Sequence, residues 1–332
     1  MTETGDSRAT AGACAAAAAA ALLCAAAPRA GEFFPTHVEN MFTRAFYLPS
    51  PSDDRLADGL DASAAFSISN TVNAEQRGQE SLFADGESDT LRLSVDDAFA
   101  PQWRVRLDLP IIHDGGGFLD QTIESWHRFF GFTQGSRPFY PKNQLHYDYL
   151  GLAGIAVDRP STSIGGLTAE TGWFSADSPS QTLSWWAGAQ APTGSVARLT
   201  GDGAWDGALW GHWARRCAAW QLGVEAGVAE PFGDEIFAGH AHHPVEFVRA
   251  AITRSLGGRW SLRGQLDGQS RRVDDSELRF LGHSLQLSLG ASYQAHGPWS
   301  LDFGFTEDAA VNTAPDITFF LGVRHAAPQS RR

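Results

Sequence analysis

Apolar and polar residues alternate with a period of two through most of the chain from Leu60 onward. In 284–294, Leu285, Leu287, Leu289, Ala291 and Tyr293 alternate with Ser284, Gln286, Ser288, Ser292 and Gln294. In 299–306, Trp299, Leu301, Phe303 and Phe305 alternate with Ser300, Asp302, Gly304 and Thr306. This is the period of a pleated strand, and a helix cannot produce it. The pattern predicts twelve strands, at 60–72, 89–97, 102–112, 163–174, 181–191, 205–215, 218–229, 245–256, 259–269, 283–294, 298–306 and 316–324. Most have the length a tilted strand needs to cross a bilayer.

The connections between them sort into two kinds. Short turns fall at 98–101, 175–180, 216–217, 257–258 and 295–297, and they alternate with long segments at 73–88, 113–162, 192–204, 230–244, 270–282 and 307–315. Short periplasmic turns and long extracellular loops are the habit of outer-membrane barrels. The expected fold is therefore all-β: a transmembrane antiparallel up-and-down β-barrel of about twelve strands, with both termini in the periplasm. A soluble sandwich or lipocalin-like barrel alternates too, with its apolar face turned inward. Trp103, Trp173, Trp205, Trp299 and Phe305 near strand ends favour the membrane form.

Composition agrees. Charged residues make up 19% of the 332, while Gly (35), Phe (21) and Trp (11) are abundant. A net charge of −13 excludes a nucleic-acid partner, which needs a basic surface. Lys142 is the single Lys. Cys14 and Cys24 lie in an Ala-rich leader, so Cys217 stands alone and no disulfide or metal-type Cys pair is expected. Residues 11–27 are almost pure Ala with Leu22 and Leu23, which suits a signal peptide more than a membrane span. The expected organisation is a signal peptide at 1–30, a periplasmic segment at 31–59, the barrel at 60–325 and a polar tail at 326–332.

One block then carries a resemblance. Asn73, Glu75, Arg77, Gly78 and Glu80 precede Asp85-Gly86-Glu87 and Leu91-Arg92-Leu93. Further on come Leu109-Pro110-Ile111-Ile112-His113, Gly116-Gly117-Phe118-Leu119-Asp120, Phe129-Phe130-Gly131, and Gly135 with Arg137-Pro138. Asn40, Phe42 and Leu48-Pro49 fit upstream, and Pro192-Thr193-Gly194 with Leu199 and Gly201 fit the middle. From Asn40 to Arg324 the chain resembles the uncharacterised proteobacterial family called domain of unknown function 3187. The resemblance implies an outer-membrane β-barrel and supplies no activity. Phe319-Phe320-Leu321 runs on into a polar tail, where such barrels usually close on an aromatic.

Candidate chemistry concentrates in four places. The inner face is expected to carry Arg104, Arg106 and Asp108, then Gln221 and Glu225, then Arg259, Arg263 and Asp267, as a locked network or a selectivity lining. Within loop 113–162, residues 118–132 read as an amphipathic helix with Leu119, Ile123, Trp126 and Phe130 near one face and Asp120, Glu124 and Arg128 opposite. With Phe118 and Phe129 it could narrow the lumen as a gate, pack on the rim, or take a periplasmic or lipid-facing place. The charged block 73–87 could tie a loop by ion pairs or bind a cation. His240, His242 and His243 form a weak metal candidate, a solvated turn being the blander reading. No Gly-x-Ser-x-Gly elbow or Ser–His–carboxylate set stands out, so a lipid-acting hydrolase is a distant third function. The leading expectation is a monomeric channel or uptake pore for a small solute. A structural or surface-interaction barrel with a closed lumen is second. The expected partners are the lipid bilayer, lipopolysaccharide and the barrel-assembly machinery, with no cofactor.

Overall fold

The computed structural model describes residues 33–52, 59–131, 137–310 and 313–326. The leader at 1–30 and residues 327–332 of the tail lie outside the described residues. The chain forms β1 (Leu60–Arg77), β2 (Glu80–Ala100) and β3 (Trp103–Gly115), then helix α1 (Asp120–Phe130). Three short strands follow, β4 (His146–Leu150), β5 (Gly154–Val157) and β6 (Ser161–Ile164). The remainder is β7 (Leu167–Asp177), β8 (Gln181–Ala191), β9 (Asp206–Cys217), β10 (Trp220–Pro231), β11 (Val245–Gly257), β12 (Trp260–Gln269), β13 (Ser284–Gln294), β14 (Trp299–Asp308) and β15 (Ile317–His325).

Twelve of these strands close a ring. Each pairs antiparallel with its sequence neighbour, β3 pairs with β7, and β15 returns to β1 from Ala62↔His325 to Asn70↔Ile317. Closure leaves no unpaired edge, which is what a sheet must achieve to sit in lipid. All twelve expected strands are present.

One expected loop is strand instead. Residues 73–88 continue β1 and β2 into a tall hairpin that turns at Gly78, with Arg77 opposite Glu80. Gly78 takes φ +53°, a conformation that favours glycine in a two-residue turn. The segment hides its strand character because its partners are other loops. Glu75 accepts from the Arg279 and Phe280 amides, at 2.9–3.3 Å, and Glu80 accepts from Tyr149 Oη (2.6 Å) and the Glu277 amide (2.7 Å). Buried Asn73 and Asp85 and the Tyr147 ring against Gly86 complete it, while Arg77 reaches back to Glu75 at 3.6 Å. The charged block thus builds the wall of the long-loop end.

The faces of the sheet settle which side is outside. On adjacent residues of β9, Leu209 is 63% exposed and Trp210 3%. Leu107, Leu222, Ile252, Leu262, Leu289 and Leu321 also point outward, whereas Arg104, Glu225, Thr253, Arg263, Ser288 and Thr318 point inward and are buried. A soluble barrel has the opposite arrangement. Trp103, Trp173, Trp220, Trp260 and Trp299 ring the outer wall at the short-turn end, and Trp205 and Phe232 lie exposed toward the other end. An apolar band between aromatic girdles is the exterior of a membrane barrel.

Helix α1 lies on this outer wall. Its Leu119 and Ile123 pack on Ile68, Phe305 and Ile317, which share the outward register of Phe66, Phe303 and Phe319. Glu87 accepts from the amides of Phe118 (3.4 Å) and Leu119 (3.1 Å), placing a carboxylate at the positive end of the helix. Asp120 is held by Asn70 Nδ2 (3.1 Å), Arg137 Nη1 (2.9 Å) and the Asn143 amide (2.7 Å). The gate expected of Phe118, Leu119, Ile123, Trp126 and Phe129 is therefore corrected: none of them lines the lumen. Leu119 and Ile123 grip the wall from outside, and Phe118, Trp126 and Phe129 are exposed. Asp120 and Glu124, expected on the exposed face, are buried by polar partners that the helical period alone does not reveal. The side chain of Phe130 lies outside the described residues.

Candidate functional site

The lumen contains the chain's own N-terminal segment. Residues 31–59 are expected in the periplasm; residues 33–52 instead run inside the barrel as a bent hairpin. The first limb, 33–40, starts at mid-barrel. The Phe34 amide donates to Gln265 Oε1 (2.7 Å), the Phe34 ring meets Phe320 with centroids 4.8 Å apart, and the Arg263 guanidinium lies 4.4 Å above it. The bend at 41–46 reaches the long-loop end, where Asn40 Nδ2 donates to the carbonyls of Phe280 (2.7 Å) and Thr313 (3.4 Å). The second limb, 47–52, descends again. The amides of Tyr47, Ser50 and Ser52 donate to Asp206 (3.0 Å), Glu170 (3.0 Å) and Glu225 (2.6 Å) on three different strands.

Sequence explains why this segment can sit there. It offers amides, hydroxyls and one arginine to an inner wall rich in carboxylates, and aromatics to apolar positions of that wall. Tyr47 and Leu48 pack on Phe174, Trp186, Trp210 and Phe247. Tyr47 Oη donates to Glu170 (2.9 Å), and the wall clears room for it at Gly188, where a Cβ would stand 2.2 Å from that oxygen. At the bend, Met41, Phe42 and Phe46 enter a core with Tyr147, Tyr149, Phe237, Phe280 and Leu281 from three long connections. Phe42 is fully buried, so this core forms a lid over the long-loop mouth.

Seven of the eight candidate lining residues face the interior, and all seven are engaged. Arg104 Nη2 meets Asp61 at 2.6 Å; Arg106 meets Asp96 at 2.7 Å and Glu170 at 3.4 Å. Asp108 accepts from Ser50 (2.9 Å) and from Ser94. Glu225 and Asp267 share Arg249, the latter at 2.7 Å. Arg263 bonds Thr253 (3.0 Å) and Ser292 (3.1 Å), with Asp302 at 3.7 Å. Gln221 is buried among them. Arg259 does not belong to the set. It sits exposed in the turn between β11 and β12: Gly257 and Gly258 turn the chain at positive φ, and β12 begins at Trp260, one residue later than the alternation suggests.

Two residues that sequence reasoning passed over, His37 and Arg92, line the space left beside the inserted segment. Arg92 is visible in the sequence as an inward position of the Leu91-Arg92-Leu93 alternation; His37 carries no strand signal at all.

The remaining candidates separate. His240, His242 and His243 each turn to a different carboxylate, Asp275 (3.2 Å), Asp274 (2.7 Å) and Glu230 (3.1 Å), so they tie loops and do not converge. Among the described residues no group of three His, Cys, Asp or Glu is arranged to hold a metal ion. Ser184 Oγ lies 3.3 Å from His212 Nδ1, yet both are fully buried on the inner wall and Ser184 also accepts from Trp186 (2.9 Å). That pair has no access to lipid, which points away from a lipid-acting hydrolase.

The model of a family described as protein of unknown function (DUF3187) matches residues 37–326. Among solved structures, the COG4313 outer membrane channel from Pseudomonas putida F1 superposes with a TM-score of 0.56 at 11% identity, covering 84% of this chain and 100% of that one. This likeness shows the fold. The NanC porin (TM-score 0.44, 7% identity, 81% of this chain and 100% of that one) and the KdgM porin (0.43, 8%, 80% and 99%) are more distant. No curated protein matches the chain.

Proposed function

The chain belongs to the DUF3187 family, and from that premise we propose that it is an outer-membrane channel or uptake pore for a small solute, shut by its own N-terminal segment. The observation that carries this reading is the hairpin 33–52 itself. It is a separate limb of chain bonded to the wall by side chains and amides, not by a strand ladder, so it can leave while the ring of twelve strands stays closed. Behind it stands a wall that is largely polar outside the Trp186–Trp210 sector and Phe320, which suits a water-filled path. The apolar exterior supports a place in the outer membrane of a Gram-negative cell, reached through the leader. In this placement the long loops face outward and the short turns face the periplasm.

The Phe42-centred lid favours a second reading, a surface barrel whose lumen never opens. Conductance separates the two. In processed chain carrying Cys217→Ser, Ser50→Cys with Asp108→Cys tethers the segment to β3. The channel reading expects openings in a planar bilayer when the pair is reduced and silence when it is oxidised. Silence in both states supports the closed barrel; equal steady conductance in both removes the segment as the closing element.

A further inference from the structure

Beneath the lid, a cavity lies between the inserted segment and the wall of β2, β3, β7 and β8. Its charged lining is Arg44, Arg92 and Arg272 against Glu39. Two of these are already satisfied. Arg44 meets Asp114 at 2.6 Å, and the oxygens of Glu39 accept from Ser67 (3.2 Å) and Thr90 (3.1 Å).

Among the described residues the other two have no carboxylate within ion-pair distance. Arg272 donates only to neutral acceptors, the Phe46 carbonyl and Gln269 Oε1, both at 3.0 Å. Among the described residues Arg92 has no hydrogen-bond or ion-pair partner, and no carboxylate lies within ion-pair reach of either guanidinium. The contrast with Arg104, Arg106, Arg249 and Arg263, each beside a carboxylate, is sharp. An interior cation without a partner is costly, and an anion that enters removes the cost. Burial pushes the Arg272 guanidinium down to about 10, with Asp206 pulling the other way from a distance. A second cavity shares His37 and Arg92 and extends past Ala62 and Ser63 toward the short-turn end. Arg92 thus stands where a route from that end meets the inner chamber.

We propose that this chamber binds a small anion bearing a carboxylate or phosphate group, with Arg92 and Arg272 as its charge partners. The proposal deepens the channel reading, since it rests on a solute entering the lumen. Its test does not require conductance. Folded full-length protein in detergent is titrated with inorganic phosphate and, separately, with acetate by calorimetry, with glycerol as the neutral control. Wild type is compared with Arg92→Gln, Arg272→Gln and Arg92→Lys, each verified by heat-modifiable migration.

The expected result is saturable binding of at least one anion, none of glycerol, and a loss of about tenfold or more in each Gln variant. Arg92→Lys should retain part of the affinity. Absence of anion binding to wild type, or binding unchanged in both Gln variants, overturns the site. A protein that binds anions but never conducts keeps the site and loses the pore; one that conducts without binding does the reverse.

Discussion

Arg44 of the inserted segment and Asp114 at the end of β3 form a two-pronged ion pair, Nη1 to Oδ1 at 2.9 Å and Nη2 to Oδ2 at 2.6 Å. Ser88 donates to the same carboxylate (2.6 Å), and Arg44 Nε donates to the Leu199 carbonyl (3.2 Å). This joint fixes the bend of the hairpin to the β2–β3 wall and to the β8–β9 connection.

Removing one partner of so buried a pair leaves an uncompensated charge, at about 3–5 kcal/mol. Arg44→Ala should therefore loosen the bend without dissolving the ring. Hydrogen exchange is expected to speed at the amides of Tyr47, Ser50 and Ser52, and openings in a planar bilayer should become more frequent. Unchanged exchange at those three amides would show that Arg44 does not hold the segment.

A second prediction concerns pH and the β8–β9 connection. Asp202 is fully buried beside Asp206, and burial, followed by the nearby Asp234 charge, pushes its carboxyl up to about 6. A group whose folded pKa is raised favours the protonated form, so its contribution is most favourable in acid. It is lost as pH rises from about 4, the ordinary carboxyl value, through about 6. Asp202→Asn keeps an acceptor for the Ala204 amide, 3.1 Å away in the native contact, and removes the charge. The variant should melt higher than wild type at pH 8, with the gap closing near pH 4. A gap that is constant with pH would place the effect elsewhere.

Helix α1 supplies the third. Phe129 is 81% exposed on a helix whose other side grips outward-facing wall residues, so it should sit at the lipid boundary. A spin label at Phe129→Cys, with Cys217→Ser, in phosphatidylcholine–phosphatidylglycerol vesicles should collide more with dissolved oxygen than with an aqueous nickel chelate. The reverse order would put the helix in water.

The strand ladder was legible because one physical rule, apolar out and polar in, acts on every residue of a wall such as Ser284–Gln294. The hairpin 73–88 escaped that rule. Beyond the membrane its outward positions Ala74, Gln76 and Ser81 are exposed and need not be apolar, while Asn73, Glu75 and Glu80 turn inward to polar loop partners, so no apolar–polar alternation is imposed. Arg104 and Arg263 were recognisable as interior residues, but their partners Asp61 and Asp302 are set by ring closure and register, which periodicity does not encode. The inserted segment was the least legible part. Phe33, Phe34 and Phe42 have no period to follow because the hollow they fill is shaped by the rest of the chain. The helix misled through its aromatics: Trp126 and Phe129 look like core residues, yet they face away from the barrel wall that Leu119 and Ile123 grip.

The segment 33–52 also bears on the order of assembly. It precedes β1 in the chain, yet its anchors Glu170, Glu225 and Gln265 lie on β7, β10 and β12. Those strands stand around it only once the sheet has been laid from β7 through β12. The part of the domain that comes first in the chain thus docks only after strands far downstream are in place, as a keystone waits for the arch to rise around it.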